Sequence, residues 1–381
     1  MHRLDAGSGE GTVRQGGETD VEGILDLLTH YDLPRAHFEP LYYEDPEYKP
    51  EQSWVVDIGG RPVAHLRVYD RLIRVAGMPL RIAGIGNVIT ARDQRGLGHA
   101  GTLLRGVVNA LGRGPFVYSL LWTHVPKLYA TYGWAPIAEE IVRGGISSPA
   151  QSALRIRPFE ESDLPEVMSL YEETNATRTG PTIRSHAYWK AHRKWTDEDP
   201  KGFLIARRPN GTLAGYVRSG RPSEMLELGL RLQDLDAGRA LLAELADGHG
   251  AVVEGPLPPS LRDIFGPDDQ QVLEQQGLMG RTMNIEVLVR SLEPVWAERT
   301  PADHPVTFAL ETDQGCKSLS VTQYGVQMAD VPTSPRALTQ KEFAMLLFHG
   351  AADEEEALSQ DPTGKALFPR QDFVIWATDR F

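Results

Sequence analysis

The sequence predicts an α+β fold: two tandem β-α-β-β units, each a mixed sheet flanked by helices, followed by a third α/β body. Three observations carry this. The 381 residues, at roughly 150 per domain, allow two or three domains. A self-similar stretch recurs without a gap 143 residues later, from Val13 to Ile156. A glycine-rich turn at 95–101 joins a strand-like pattern to a helix-like one.

In chain order, residues 1–11 are polar and are expected as a loose tail, without the apolar region of a signal peptide. The first unit is expected over 12–150. Val13-Arg14 opens an extended segment, and Thr19-Asp20 precedes a helical pattern whose face is Val21, Ile24, Leu25, Leu27 and Leu28. Thr19 with Glu22 has the spacing of a capping box. Trp54–Ile58, Gly59-Gly60 and Pro62–Val68 then read as strand, turn and strand. The second unit, expected over 151–280, repeats the order. Ile156-Arg157 opens it, Glu161-Ser162-Asp163 precedes the face Leu164, Val167, Met168, Leu170 and Tyr171, and Phe203–Ala206, Pro209-Asn210-Gly211 and Leu213–Val217 repeat the hairpin. Residues 281–381 differ in texture, with strand-like stretches at Ile285–Val289, Val306–Leu310 and Ser318–Val321 and an apolar helix at Lys341–Phe348. The acidic run Asp353–Glu356 reads as a solvated helix start.

Charge and composition exclude several function classes. With 39 Lys+Arg against 52 Asp+Glu, the net charge of −13 lacks the cationic face that non-specific nucleic-acid binding needs. No apolar run approaches the ~20 residues that span a bilayer, so no membrane partner is expected. One cysteine, Cys316, forms no internal disulfide and fits a reducing, cytoplasmic setting. Neither CxxC nor HExxH occurs, and no metal site is expected.

The chemistry begins at the turn. After the strand pattern Ile85–Ala91 comes Arg95-Gly96-Leu97-Gly98-His99-Ala100-Gly101, and then Leu103, Leu104, Val107, Val108 and Leu111 at helical spacing. Gly96 and Gly98 reach backbone conformations closed to other residues and let a ligand approach the main chain. Successive amides at a helix start favour a bound pyrophosphate. GxxxxGK[ST] is absent. Gly96, Gly98 and Gly101 match GxGxxG by letter, but the downstream acid of a dinucleotide site is not evident.

Arg95-x-x-Gly98-x-Ala100 after a strand resembles the acyl-CoA signature of the GNAT acetyltransferase superfamily, Q/R-x-x-G-x-G/A. The resemblance implies that the amides of Arg95, Gly96, Leu97, Gly98, His99, Ala100 and Gly101 hold the pyrophosphate of acetyl-CoA. It also implies that main-chain groups of Val88, Ile89 and Thr90 pair with its pantetheine arm. Pro126–Trp134 resembles that superfamily's Tyr-x-x-x-Gly-aromatic segment, which makes Tyr129 the acid for the departing thiolate and Tyr132 its neighbouring alternative. A phenol suits the role because it keeps its proton at pH 7.

The amine must also lose a proton, and Ile82–Thr90 offers no carboxylate base. The whole plan, with its aromatic ending Leu367–Phe381, resembles the Eis (enhanced intracellular survival) N-acetyltransferases. That resemblance implies a catalytic GNAT domain, a degenerate GNAT-like domain without a CoA turn and a sterol-carrier-protein-like α/β domain. It implies a terminal carboxylate, here that of Phe381, acting as base, and self-assembly into homo-oligomers. The stretch His37–Asp45 mixes aromatics and carboxylates, so Phe38 and Glu39, with Trp122 and His124 after the fifth strand, are candidate contacts for a cationic amine. Arg178–Arg184, with Trp189 and Trp195, is a basic and aromatic cluster that resembles a segment of the family's second unit. The expected activity is acetyl-CoA-dependent N-acetylation of a small or medium amine such as an aminoglycoside, a polyamine or a metabolite amine. The alternatives are an acyltransferase using another acyl-CoA in a biosynthetic pathway, and a non-catalytic protein that senses CoA or another ligand.

Overall fold

The computed structural model describes residues 4–5, 11–146, 153–196, 198–199, 201–221, 223–246, 252–266, 268–302, 304–312, 315–331, 337–351 and 362–381. Asp353–Glu356 lies outside them.

The first stretch runs β1 (Leu4–Asp5), β2 (Thr12–Gln15), α1 (Val21–Leu28), α2 (Arg35–Tyr43), β3 (Ser53–Ile58), β4 (Arg61–Val75), β5 (Met78–Thr90), α3 (His99–Leu111), β6 (Tyr118–Trp122), α4 (Pro126–Ala130), β7 (Ala135–Pro136) and β8 (Glu139–Gly145). The second runs β9 (Arg155–Pro158), α5 (Leu164–Asn175), α6 (His186–Ala191), β10 (Leu204–Arg207), β11 (Leu213–Ser219), β12 (Met225–Leu230), α7 (Leu235–Ala246), β13 (Val252–Pro256), β14 (Gln270–Gln275) and β15 (Leu278–Thr282). The third runs α8 (Ile285–Arg299), β16 (Val306–Thr312), β17 (Gly315–Thr322), β18 (Gly325–Val331), β19 (Ala337–Leu338), α9 (Gln340–His349) and α10 (Pro362–Leu367).

The repeat reaches the level of atoms. Arg14 donates to both oxygens of Asp20 at 2.7 and 2.8 Å, and Arg157 does the same to Asp163 at the same distances. Each carboxylate also accepts a backbone amide, that of Gly17 or Glu160. The Thr19–Glu22 capping box is not formed. A short 3₁₀ turn at Glu18–Asp20 precedes α1, and Glu22 instead pairs with Arg35 and Tyr43. Asp20, already held by Arg14, holds the Gly17 amide ahead of the helix.

The first sheet has the order β1-β2-β3-β4-β5-β6-β15-β7, and the second β12-β11-β10-β9. The units trade strands: β15 pairs with β6 in the first sheet, while β8 lies between β13 and β14. A second join is made by residues 179–183. Gly180 and Ile183 donate to Arg74 and Leu72 on the β4–β5 hairpin, and Val374 near the chain end donates to Thr179. This strap therefore touches the first sheet on one side and the chain's tail on the other.

In the third stretch the order is β18-β17-β16-β19, with β16 and β19 parallel. Ile285–Val289, expected as a strand, is the first turn of α8. Asn284 caps it by accepting from Val287, and Ile285, Leu288, Val289, Leu292 and Trp296 share the buried face. The β-branched start looked extended, but the apolar spacing continues at three and four for 15 residues. Trp296, Phe308, Phe343 and Phe368 fill this interior in edge contacts of 5.8–6.5 Å.

Candidate active site

The turn after β5 is built for main-chain recognition. Gly96 and Gly98 have φ of 80° and 83°, the left-handed region that favours glycine, and a Cβ on either would meet nothing within 4 Å. Their lack of side chains thus serves the backbone and leaves its approach open. Thr102 donates the first helical bond of α3 to Gly98, so the amides of His99, Ala100 and Gly101 have no acceptor within the helix. No acidic side chain stands in the first turn. Arg95 lies along the surface with its guanidinium on the Thr90 and His30 carbonyls, and Leu97 is 66% exposed. His99 is turned inward, 3.4 Å from the Gln94 amide oxygen. A Cβ on Gly101 would strike the Tyr132 hydroxyl.

Beside the turn the sheet splits. β5 pairs with parallel β6 only from Ile82 to Gly84, while its pairing with β4 continues to Thr90. The far edge of β5 from Ile85 onward is therefore free of β6. Val88, Ile89 and Thr90 lie on this stretch, beyond a bulge where Asn87 has φ 53°. The Ile89 side chain is buried, and the Val88 carbonyl accepts from the Tyr31 hydroxyl at 2.7 Å.

Tyr129 reaches this split from α4, whose first residue is Pro126 and whose turn closes at Gly133, φ 88°. Its side chain is buried against Trp134, and desolvation pushes the phenol up to about 12, with a Thr123 hydrogen bond opposing. Tyr31 is raised too, by burial and by the phenols of Tyr129 and Tyr69 nearby. Tyr132 faces away, toward Gly101 and Arg105.

Phe381 enters from the opposite end of the chain. Its ring covers Gly84, where a Cβ would collide with it, and its main chain lies on Gly86, where a Cβ would come 3.1 Å from its carbonyl carbon. The ring stacks on Tyr69 at 5.4 Å and takes the edge of Trp122 at 5.0 Å. Arg380 anchors it by donating to Glu139 and Gln275 at 2.7 and 2.8 Å, and Glu139 also accepts from the Trp122 indole at 3.1 Å. The strand that lacks a carboxylate thus carries two glycines shaped to receive Phe381. Sequence reasoning missed that notch, and with it Tyr69 and Tyr31.

The structure brings together Val88–Thr90, the turn, Tyr129, Trp122 and Phe381, and sets other candidates apart. Phe38 is 4% exposed, packed with Tyr31 and His37. Glu39 pairs with Arg35 at 2.9 Å, Glu44 with Lys194, and Asp45 with both Arg67 and Arg71. The carboxylates expected to meet a cation are therefore already matched by the chain's own arginines and lysine. His124 is exposed beyond Trp122. Arg178 and Arg184 are buried and paired with Asp372 and Asp379, so the basic cluster is an internal clamp. Cys316 is buried. Among the described residues no group of three or more His, Cys, Asp or Glu could hold a metal, and no helix is long and apolar enough to cross a membrane.

Residues 12–137 match the family model of the acetyltransferase (GNAT) domain. No curated protein matches the sequence. The chain is similar in fold to a probable N-acyltransferase of unknown function from Enterococcus faecalis V583, with 16% identity over 97% of this chain and 99% of that one and a TM-score of 0.74. It is similar to a GCN5-related N-acetyltransferase from Anabaena variabilis, with 16% identity over 97% and 99% and a TM-score of 0.71. It is also similar to Eis1 from Mycobacterium abscessus, with 16% identity over 97% and 99% and a TM-score of 0.68. Residues 12–137 therefore form a GNAT acetyltransferase domain, in a chain whose fold is similar to that of Eis1.

Proposed function

We propose that the protein is a cytoplasmic acetyl-CoA-dependent N-acetyltransferase that acetylates the primary amine of a small or medium cationic acceptor by direct attack on the thioester. In this reading residues 12–150 are catalytic, 151–280 are a degenerate GNAT-like unit, and 281–381 are a sterol-carrier-protein-like body that delivers Phe381. The amides of the turn hold the pyrophosphate, and the open edge of β5 takes the pantetheine arm. Aromatic rings of Tyr31 and Trp122 receive the ammonium, while Tyr69 backs the Phe381 ring. The carboxylate of Phe381 takes the ammonium proton. The nitrogen then bonds to the acetyl carbon, amides near Val88–Thr90 stabilise the oxyanion, and the carbon–sulfur bond breaks. Tyr129 gives its proton to the departing sulfur and regains one as the nitrogen sheds its second proton, leaving the neutral amide and free CoA thiol. Its raised pKa of about 12 keeps that proton available across neutral pH.

The observation that carries this reading is the turn: three amides of a helix start, two left-handed glycines and no acid of the chain's own. The packed aromatic interior of α8, α9 and the third sheet favours catalysis over sensing of an apolar ligand, which would have to displace those rings. Two measurements test the proposal. Calorimetry should show CoA binding, and its absence in folded protein would end the reading. A chain extended by one glycine after Phe381 should bind CoA as before and lose turnover by on the order of 10²-fold. Full turnover in that chain would remove Phe381 as base.

A further inference from the structure

The chain's last turn is gripped by the second sheet, not the first. Trp376, Thr378 and Asp379 are all buried, and the 3₁₀ turn Ala377–Asp379 packs on β12. In the second sheet β12 follows β9, β10 and β11 as β5 follows β2, β3 and β4 in the first. The tail therefore occupies the degenerate unit's counterpart of the catalytic cleft before crossing to the real one.

At the centre of that seat is Arg184, wholly buried. It donates to Asp379 at 2.8 and 2.9 Å, to Glu227 on β12 at 2.6 and 3.2 Å, and to the Thr378 hydroxyl at 2.8 Å. Thr378 in turn donates to Glu227 at 2.5 Å. Arg184 lies over the rings of Tyr171 and Trp189, and Arg218 links Glu227 to Glu198. A buried ion pair is a weak source of net stability, because desolvation of both charges offsets their attraction. It is a strong constraint on position, since each charge left unpaired in the interior is severely disfavoured. Asp379 is two residues from Phe381, a reach of at most about 7 Å of chain. Arg380, between them, is pinned to Glu139 and Gln275. A displacement at Asp379 is thus passed on to the end of the chain with little slack to absorb it.

We infer that Arg184 and Asp379 are positioning residues for the proposed reaction: their ion pair seats the tail in the second unit's cleft and so sets where the Phe381 carboxylate lies against Gly86 in the first. This rests on the reading of Phe381 as base. It gives the degenerate unit a task, that of placing a group in its neighbour's active site.

The test uses the full chain with acetyl-CoA and the fastest amine of kanamycin, spermidine and phenethylamine. Asp379→Asn keeps the shape and removes the charge. It should lower kcat on the order of tenfold to a hundredfold while the KM for acetyl-CoA stays within about twofold. Thr378→Val, a milder break in the same seat, should lower kcat less and in the same manner. Combined with the one-glycine extension after Phe381, neither substitution should cost more than about twofold further, because the group it places is already disabled. A crystal structure of Asp379→Asn should show Phe381 displaced from Gly84 and Gly86. Unchanged kcat in both variants, an equal loss in the extended chain, or a Phe381 still seated on the two glycines overturns the inference. Full activity of the extended chain alone overturns the reading beneath it instead.

Discussion

The two helix starts that follow the central hairpins, at α3 and α7, share a backbone plan and differ in chemistry. Before α3 the left-handed residues are Gly96 and Gly98; before α7 they are Leu232 and Gln233, with φ of 50° and 53°. Both chains bend sharply into a helix. At α7, however, Asp234 accepts from the Ala237 amide at 3.1 Å and is itself paired with Arg208 at 2.5 Å. The second unit supplies its own anion to the amides of the helix start, whereas no acid of the first turn does so at α3. The next segments diverge in the same way. α4 carries Tyr129, while its counterpart Pro259–Ile264 buries Leu261 and Ile264 and has no tyrosine. In the second unit, then, the chain's own groups stand where the first leaves main chain and phenol open.

Swapping the two chemistries should have the largest effect. Gly98→Asp gives α3 the acid that α7 has, and its charge opposes the pyrophosphate. CoA affinity by calorimetry should fall on the order of a hundredfold or more. An unchanged Kd would show that the amides are not the anion site. Tyr129→Phe makes the first unit resemble the second at the acid, and kcat should drop about tenfold to a hundredfold with CoA affinity retained. Wild-type kcat would take Tyr129 out of the reaction.

Acid should separate the units less sharply. His65 on β4 and His192 beside Arg218 are both buried, and desolvation lowers both, His65 to about 3. A ring whose folded pKa lies below its unfolded value of 6.5 binds a proton more readily once unfolded. The stability it contributes is complete above pH 6.5 and declines as pH falls toward 3. Tm should therefore fall through that window, and His65→Gln or His192→Gln should each flatten the slope. A slope unaltered by both would assign the acid response to other groups. Smallest of all, Asp234→Ala removes the cap of α7 and should cost about 1 kcal/mol of stability. Turnover should stay unchanged, and a loss of activity there would mean that the second helix start is not idle.

Much of this could be read from the sequence because it is local. The repeated helix faces, the glycine turn, Tyr129 and the aromatic tail each announce themselves within a dozen residues. What stayed hidden depends on partners far along the chain. Arg184 read only as part of a basic and aromatic cluster because Glu227 and Asp379 are distant in sequence. Gly84 and Gly86 looked like a missing base, since nothing near them shows that Phe381 will fill the space their absent side chains leave. Asp45 looked free because Arg67 and Arg71 come later in the chain, on β4. Ile285–Val289 was misread for a different reason: its β-branched opening outweighed the spacing of Leu292 and Trp296 downstream.

The strap at 179–183 binds the β4–β5 hairpin on one side and the tail on the other. On heating, working life should then be limited by whichever body releases that join first, even if the cleft itself remains intact. Thermal inactivation would report on the strap, and a substitution that tightens its hold on either neighbour would prolong activity without touching any reacting atom.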